Sequence, residues 1–326
     1  MKAPTIEDVK SAARVLQGKA FRTPLIQSEA LDQATGAKIY IKPENLQRTG
    51  SFKFRGAFNA ISRLSEEMRS RGIAASSSGN HAQGVAAAAA MFGSKATIVM
   101  PDDAPALKIT RTRNHGAEVV FYDRATEDRE AVVESVVEAS GAVFIHPFNN
   151  TDVIAGQGTV GLEIAEDLVD ADVTPDRVLV CTGGGGLTAG VALAVNSQFL
   201  DAKIHSVEPE GFDDYKRSLE TGQIQANSRQ AGSICDAILT PSPGSIGFEI
   251  NREILSDGLV ITDEQARAAV RFAYHDLKLV TEPGGAAALA GLLSNAERWT
   301  GETIVVVISG GNIDPPVFSE ILESQS

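Results

Sequence analysis

Cysteine is almost missing from this chain. Its 326 residues hold two, Cys181 and Cys235, with no CxxC pair. That excludes a disulfide framework and fits a protein of the reducing cytoplasm. Basic clusters are missing too. The 29 lysines and arginines against 42 acidic residues leave a net charge of −13, and the bases are scattered. Nucleic acid and anionic membrane surfaces are therefore poor partners, whereas a small anionic substrate in a locally positive pocket remains compatible. No long apolar run occurs. The stretches 84–100 and 178–195 are both interrupted by glycines and polar residues, so neither spans a bilayer, and the opening MKAPTIEDVK lacks the apolar core of a signal peptide. There are no internal repeats or low-complexity tracts. His115, His146, His205 and His275 show no metal-ligand spacing and read as structural.

What is present is an alternation of strand-like and helix-like segments. Strands are expected at 38–42, 96–100, 118–122, 142–145, 178–181, 203–207 and 303–308. Helices are expected at 57–71, 80–91, 104–114, 127–139 and 187–196. Such alternation predicts α/β architecture, with open, mostly parallel twisted sheets covered by helices on both faces. Length and pattern predict two interleaved domains: residues 1–62 with 150–326 as the larger, and 63–149 as a smaller inserted one. The cleft between them is the default ligand site.

Four segments concentrate chemistry. PENLQRTGSFKFRGA sets Lys53 between Phe52 and Phe54, after a Gly-Ser turn. Apolar flanks desolvate an amine and free it to attack a carbonyl, as in Schiff-base formation; a lysine that merely snorkels is the alternative. Gly183, Gly184, Gly185 and Gly186 follow a strand and precede a helix that opens near Leu187. Backbone N–H groups converging there, with a helix N-terminus, suit a phosphate. The loop is neither a GxGxxG fingerprint nor an ATP-binding P-loop. Ser76, Ser77, Ser78, Gly79, Asn80 and His81 open another helix and offer hydroxyls, an amide and N–H groups to a carboxylate, beyond what one capping residue needs. Ser309, with Gly310, Gly311 and Asn312 behind it, ends the buried strand TIVVVI and faces the cleft. An amine, a phosphate cradle, a polar lid and a partner for a pyridine nitrogen are together what pyridoxal 5′-phosphate requires.

With PENLQRTGSFKFRGA, SSGNHAQG, GGGG and SGGN in this order, nearly the whole chain resembles the fold-type II pyridoxal-phosphate enzymes (tryptophan synthase beta-like), specifically the serine/threonine dehydratase and serine racemase family. The resemblance implies that Lys53 carries the cofactor and Phe52 packs by its ring. Asn80 would bond the 3′-oxygen, Gly183 to Gly186 with Leu187 would hold the phosphate, and Ser309 would meet the pyridine nitrogen. Ser77, Ser78, Asn80 and His81 would hold the substrate carboxylate. The implied reaction is α,β-elimination from a β-hydroxy amino acid, L-threonine or L-serine, to a 2-oxo acid and ammonia. Lys53 would take the Cα proton. A homodimer is implied as well.

Three further residues or clusters bear on the choice within the family. Glu208, Asp214 and the carbonyl of Phe212 are similar to the divalent-cation site of the racemase branch, an oxygen set for Mg²⁺, Ca²⁺ or Mn²⁺; by composition alone EPEGFDD is an acidic surface loop. Ser78 resembles the second base of the racemases, which leaves serine racemisation open. Arg129 matches an arginine of that branch and either pairs a second carboxylate, admitting 3-hydroxyaspartate, or is a solvated helix residue.

Overall fold

The computed structural model describes residues 2–123, 125–229 and 231–324. Among these residues ten strands form two sheets. β1 (Ile26–Gln27), β2 (Lys38–Pro43), β7 (Arg177–Cys181), β8 (Lys203–Pro209), β9 (Gly258–Ile261) and β10 (Thr303–Ile308) make a six-stranded sheet in the order β1-β2-β10-β7-β8-β9. Only β1 runs antiparallel, at one edge. Between β2 and β7 the chain builds a second, all-parallel sheet from β3 (Ile73–Ser76), β4 (Ala96–Pro101), β5 (Glu118–Tyr122) and β6 (Val143–Phe144), in the order β5-β4-β3-β6. The α/β architecture read from the sequence is the one observed.

The central strands are near-continuous apolar runs because both faces are covered. On one face of the larger sheet Leu179, Val207, Ile304 and Val306 pack with helix Ala287–Leu293. On the other, Val178, Val180, Val305 and Val307 pack with helices Thr151–Asp170 and Gly186–Asn196. Helix Asn80–Met91 buries its alanine-rich surface beside Phe54, Phe58 and Ile98 of the smaller sheet's core.

One helix differs from expectation. The segment expected as a single helix over 57–71 is two, Lys53–Arg63 and Glu66–Ser70. Leu64 is extended, and Ser65 caps the second helix by accepting from the Met68 N–H. The earlier start matters more, because it makes Lys53 the first residue of a helix. Side chains one position apart leave a helix on different faces. Phe54 therefore turns into the core with Phe58, ring centroids 5.6 Å apart, and only the Phe52 ring faces the Lys53 amine, at 5.1 Å. The two-ring setting expected for Lys53 is thus corrected to one.

Candidate active site

Parallel topology brings the candidate segments together. The segments carrying Lys53, the Ser77–Ser78–Asn80 turn, the glycine loop, Glu208 with Asp214, and Ser309 all lie at or beyond the carboxyl ends of β2, β3, β7, β8 and β10. Val307 of β10 pairs with Val180 of β7, which sets Ser309 beside the start of the glycine loop. A bridge between Ser51 and Gly310, and the Phe52 N–H donating to the Ser309 carbonyl at 3.2 Å, tie the lysine segment to the same point.

The result is one cavity walled by Phe52, Lys53, Asn80, Gly183 to Leu187 and Ser309, with Phe148, Cys181 and Thr240. It is narrow, about 50 Å³. The Lys53 ammonium group donates to the Pro147 carbonyl at 3.0 Å, and Phe148 packs on the glycine loop. Desolvation lowers Lys53 to about 8, so about a tenth of the amine is free base at pH 7, far more than an ordinary lysine offers. At Gly184 a Cβ would lie 2.3 Å from the Phe148 ring. Gly185 has φ +82° and would set a Cβ 2.2 Å from the Tyr215 ring. These positions accept no side chain, so the loop lines the cavity with backbone, and helix Gly186–Asn196 starts at its end. The Thr240 hydroxyl is buried there without a partner. A cradle that a Cβ would fill, a desolvated amine and an unpaired hydroxyl fit a phosphorylated carbonyl compound.

The other predicted residues sit as follows. Ser78 Oγ donates to Asp236 Oδ2 at 3.3 Å, and Ser77 Oγ accepts from the Gly79 N–H at 3.1 Å. His81 is buried beneath this turn, with Nε2 2.9 Å from the Ile145 carbonyl and Nδ1 unpartnered. Burial and the nearby Lys53 hold it down to about 3. Arg129 is half-exposed, pairs with Glu130 at 2.5 Å, and lies on the wall of a second cavity of about 310 Å³. Phe212, Leu239, Thr240 and Pro241 line that cavity too, and Thr240 is shared with the first.

Glu208 and Asp214 are both buried. Glu208 accepts from the N–H groups of Tyr215 (2.7 Å) and Lys216 (2.8 Å). Asp214 Oδ1 accepts from Asn227, and its Oδ2 has no partner. Burial and the facing Asp214 push Glu208 well above the usual carboxylate range, and burial raises Asp214 to about 6. Among the described residues no group of three or more His, Cys, Asp or Glu forms a metal cage.

Sequence reading missed a charged cluster beside Asn80: Lys108, Asp236 and Glu282, with Arg111. Glu282 carries a faint local signal, a charge before Pro283, Gly284 and Gly285. Lys108 carries none.

Fold and cavity define an α/β enzyme whose site fits an aldehyde-bearing phosphate cofactor. The chain belongs to the pyridoxal-phosphate dependent enzymes, whose pattern it matches over residues 16–310. It is 43% identical over 323 residues, 99% of this chain and 100% of the relative, to an L-threo-3-hydroxyaspartate ammonia-lyase of a Pseudomonas species. It is also 43% identical over 318 residues, 98% of this chain and 78% of the relative, to the L-threonine ammonia-lyase of Thermotoga maritima. Among solved structures, a T.th. threonine deaminase superposes with a TM-score of 0.90 at 42% identity, covering 95% of this chain and 99% of that one. No helix among the described residues is long and apolar enough to cross a membrane.

Proposed function

We propose that this protein is an ammonia-lyase that eliminates the β-hydroxyl of L-threonine and L-serine, giving a 2-oxo acid and ammonia. The observation that carries this reading is the Lys53 amine, desolvated to about 8 and facing the glycine loop across one cavity. When bound, pyridoxal phosphate supplies an aldehyde for an amine and a ring that withdraws electrons from Cα. Gly183, Gly184, Gly185, Gly186 and Leu187 would hold the phosphate, Phe52 would pack by the ring, Asn80 would bond the 3′-oxygen and Ser309 would meet the pyridine nitrogen. Ser77, Ser78 and Asn80 present donors to the substrate carboxylate. His81 supports that turn from below through the Ile145 carbonyl. Lys53 as the free base accepts the proton from substrate Cα. Ser309 is neutral, so it leaves the ring a weaker electron sink than a carboxylate partner would, which favours prompt loss of the hydroxyl. Ser78, the residue similar to a second base, is where a side reaction of racemisation would arise.

A second reading rests on Arg129. Its guanidinium on the wall of the cavity that adjoins the first through Thr240 is a partner for a second carboxylate, as in 3-hydroxyaspartate. Incubation of the purified protein with L-threonine, L-serine, D-serine and both diastereomers of L-3-hydroxyaspartate, following 2-oxo acid, decides between them. The leading reading requires threonine and serine to dominate. A wide margin for hydroxyaspartate that Arg129→Ala removes would sink it.

The buried pair Glu208 and Asp214, with an unpaired oxygen on Asp214, supports a cation such as Mg²⁺, Ca²⁺ or Mn²⁺ on these carboxylates and the Phe212 carbonyl. A rise in melting temperature on adding the ion, lost in Asp214→Asn, is the expected outcome. A homodimer in the cytoplasm completes the reading.

A further inference from the structure

A chain of polar contacts crosses the mouth of the site, and each link fixes the orientation of the next. The Arg111 guanidinium donates to Asn312 Oδ1 at 2.5 Å, which turns the Asn312 amide N–H groups toward Asn80 Oδ1 (2.8 Å) and the Thr49 carbonyl (2.8 Å). Asn80 in turn points its own amide nitrogen at Glu282 Oε1, 2.5 Å away. One Asn80 N–H is thereby used, and the other is left for the cavity that Asn80 lines. The second Glu282 oxygen accepts from Lys108 Nζ at 3.1 Å, and the same ammonium lies 3.6 Å from Asp236 Oδ2, the oxygen that accepts from Ser78.

Lys108 is 4% exposed and comes from helix Ala106–Asn114, beside the smaller sheet. Glu282, 3% exposed, and Asp236 both belong to segments outside that sheet. Burial opposes its charge, but Glu282 and Asp236 more than offset this and hold Lys108 above the ordinary lysine range. The glycines of two site motifs are shaped around this cluster. A Cβ on Gly79 would lie 2.2 Å from Lys108 Cδ, and one on Gly310 would lie 2.5 Å from Glu282 Oε1.

We propose that Lys108 is a positioning residue of the active site: its ammonium pins Glu282 and Asp236, the two acceptors that orient Asn80 toward the cofactor and the hydroxyl of Ser78. This rests on the pyridoxal-phosphate reading above. Lys108 does not line the cavity that Asn80 and Lys53 share and acts through the two carboxylates.

The test compares purified holoenzymes carrying Lys108→Met, Lys108→Arg, Glu282→Gln and the double change K108M/E282Q. The readouts are the ratio of the long- to short-wavelength absorption bands of bound pyridoxal phosphate, kcat and melting temperature. Lys108→Met leaves Glu282 buried without its cation. Glu282→Gln must turn an amide N–H toward either Lys108 or Asn80, donor against donor. Each single change therefore shifts the band ratio and lowers kcat by about tenfold to a hundredfold. Lys108→Arg restores both toward the parent. In the double variant the new amide is free to offer its oxygen to Asn80, so the band ratio lies closer to the parent than in either single variant, a non-additivity that only coupling through position 282 produces. Parent-like spectra and kcat in the single variants, with only a lower melting temperature, overturn the proposal. Should K108M fail to fold, E282Q against K108R carries the same decision. A parent protein that takes up no pyridoxal phosphate and shows no visible band overturns the cofactor reading itself, and this inference with it.

Discussion

Lys53 is brought to about 8 by desolvation alone, with no neighbouring charge needed, and the proposed role of its amine rests on that. Only the free base attacks an aldehyde, so the rate at which the apoprotein takes up pyridoxal phosphate rises about tenfold per pH unit below pH 8 and levels above it. Stopped-flow growth of the visible band measures this; a rate flat from pH 6 to 9 contradicts it. Gly185 is the most demanding backbone position of the cradle, with φ +82° and Tyr215 where a side chain would go. Gly185→Ala is expected to weaken cofactor affinity by about tenfold or more, at about 1–2 kcal/mol for the left-handed conformation, before the overlap with Tyr215 is counted. Titration of the apoprotein gives the affinity directly.

At the level of elements, helix Lys53–Arg63 decides where the Lys53 amine points, and Arg55 anchors its first turn. The Arg55 guanidinium is buried and forks onto Glu44 (2.8 Å to each oxygen) and Glu163 (2.6 and 2.8 Å); Lys42 adds a bond to Glu163 at 2.7 Å. Glu44 comes just after β2 and Glu163 from helix Thr151–Asp170, so one side chain ties strand end and helices together. Replacing it strips the fully buried Glu44 of its guanidinium partner and leaves Glu163 with Lys42 alone. Arg55→Met is therefore expected to cost about 3–5 kcal/mol in urea unfolding, and Arg55→Lys to recover only part, because a lysine cannot fork. A loss below about 1 kcal/mol would show the cluster to be dispensable.

Across the whole molecule, two desolvated imidazoles set a pH limit. Burial holds His81 down to about 3 and His146 to about 4, against an ordinary 6.5. Below 6.5 the unfolded chain takes up protons that the folded protein refuses. Each group then subtracts about 1.4 kcal/mol of stability per pH unit, until its folded value is reached, and nothing above 6.5. Glu208 and Asp214, raised in the folded state, act in the opposite direction. A single histidine variant isolates the effect. Between about pH 7.5 and 5.5, His146→Gln is expected to lose about 1.4 kcal/mol less than the parent, and equal losses would refute the assignment.

How much was legible follows from where the information lies. Lys53, the glycines from Gly183 to Gly186 and the turn from Ser309 to Asn312 were readable because each makes a local demand: an amine in an apolar setting, a backbone without Cβ, a polar turn after a buried strand. The α/β alternation was readable because its periods are local as well. The break at Leu64 and the rotation of Phe54 away from Lys53 were not, since helix phase depends on which face finds a core. Least visible was the Lys108 cluster. Lys108 and Glu282 stand 174 positions apart, and neither has a pattern that names the other. The sequence by itself determined the alternation, seven of the strands and the chemical groups at their ends, but not β1, β3, β9 or helix Thr151–Asp170. Tertiary structure alone decided which charges meet, because the burial that makes an ion pair matter comes only when the two sheets and their helices close on one another.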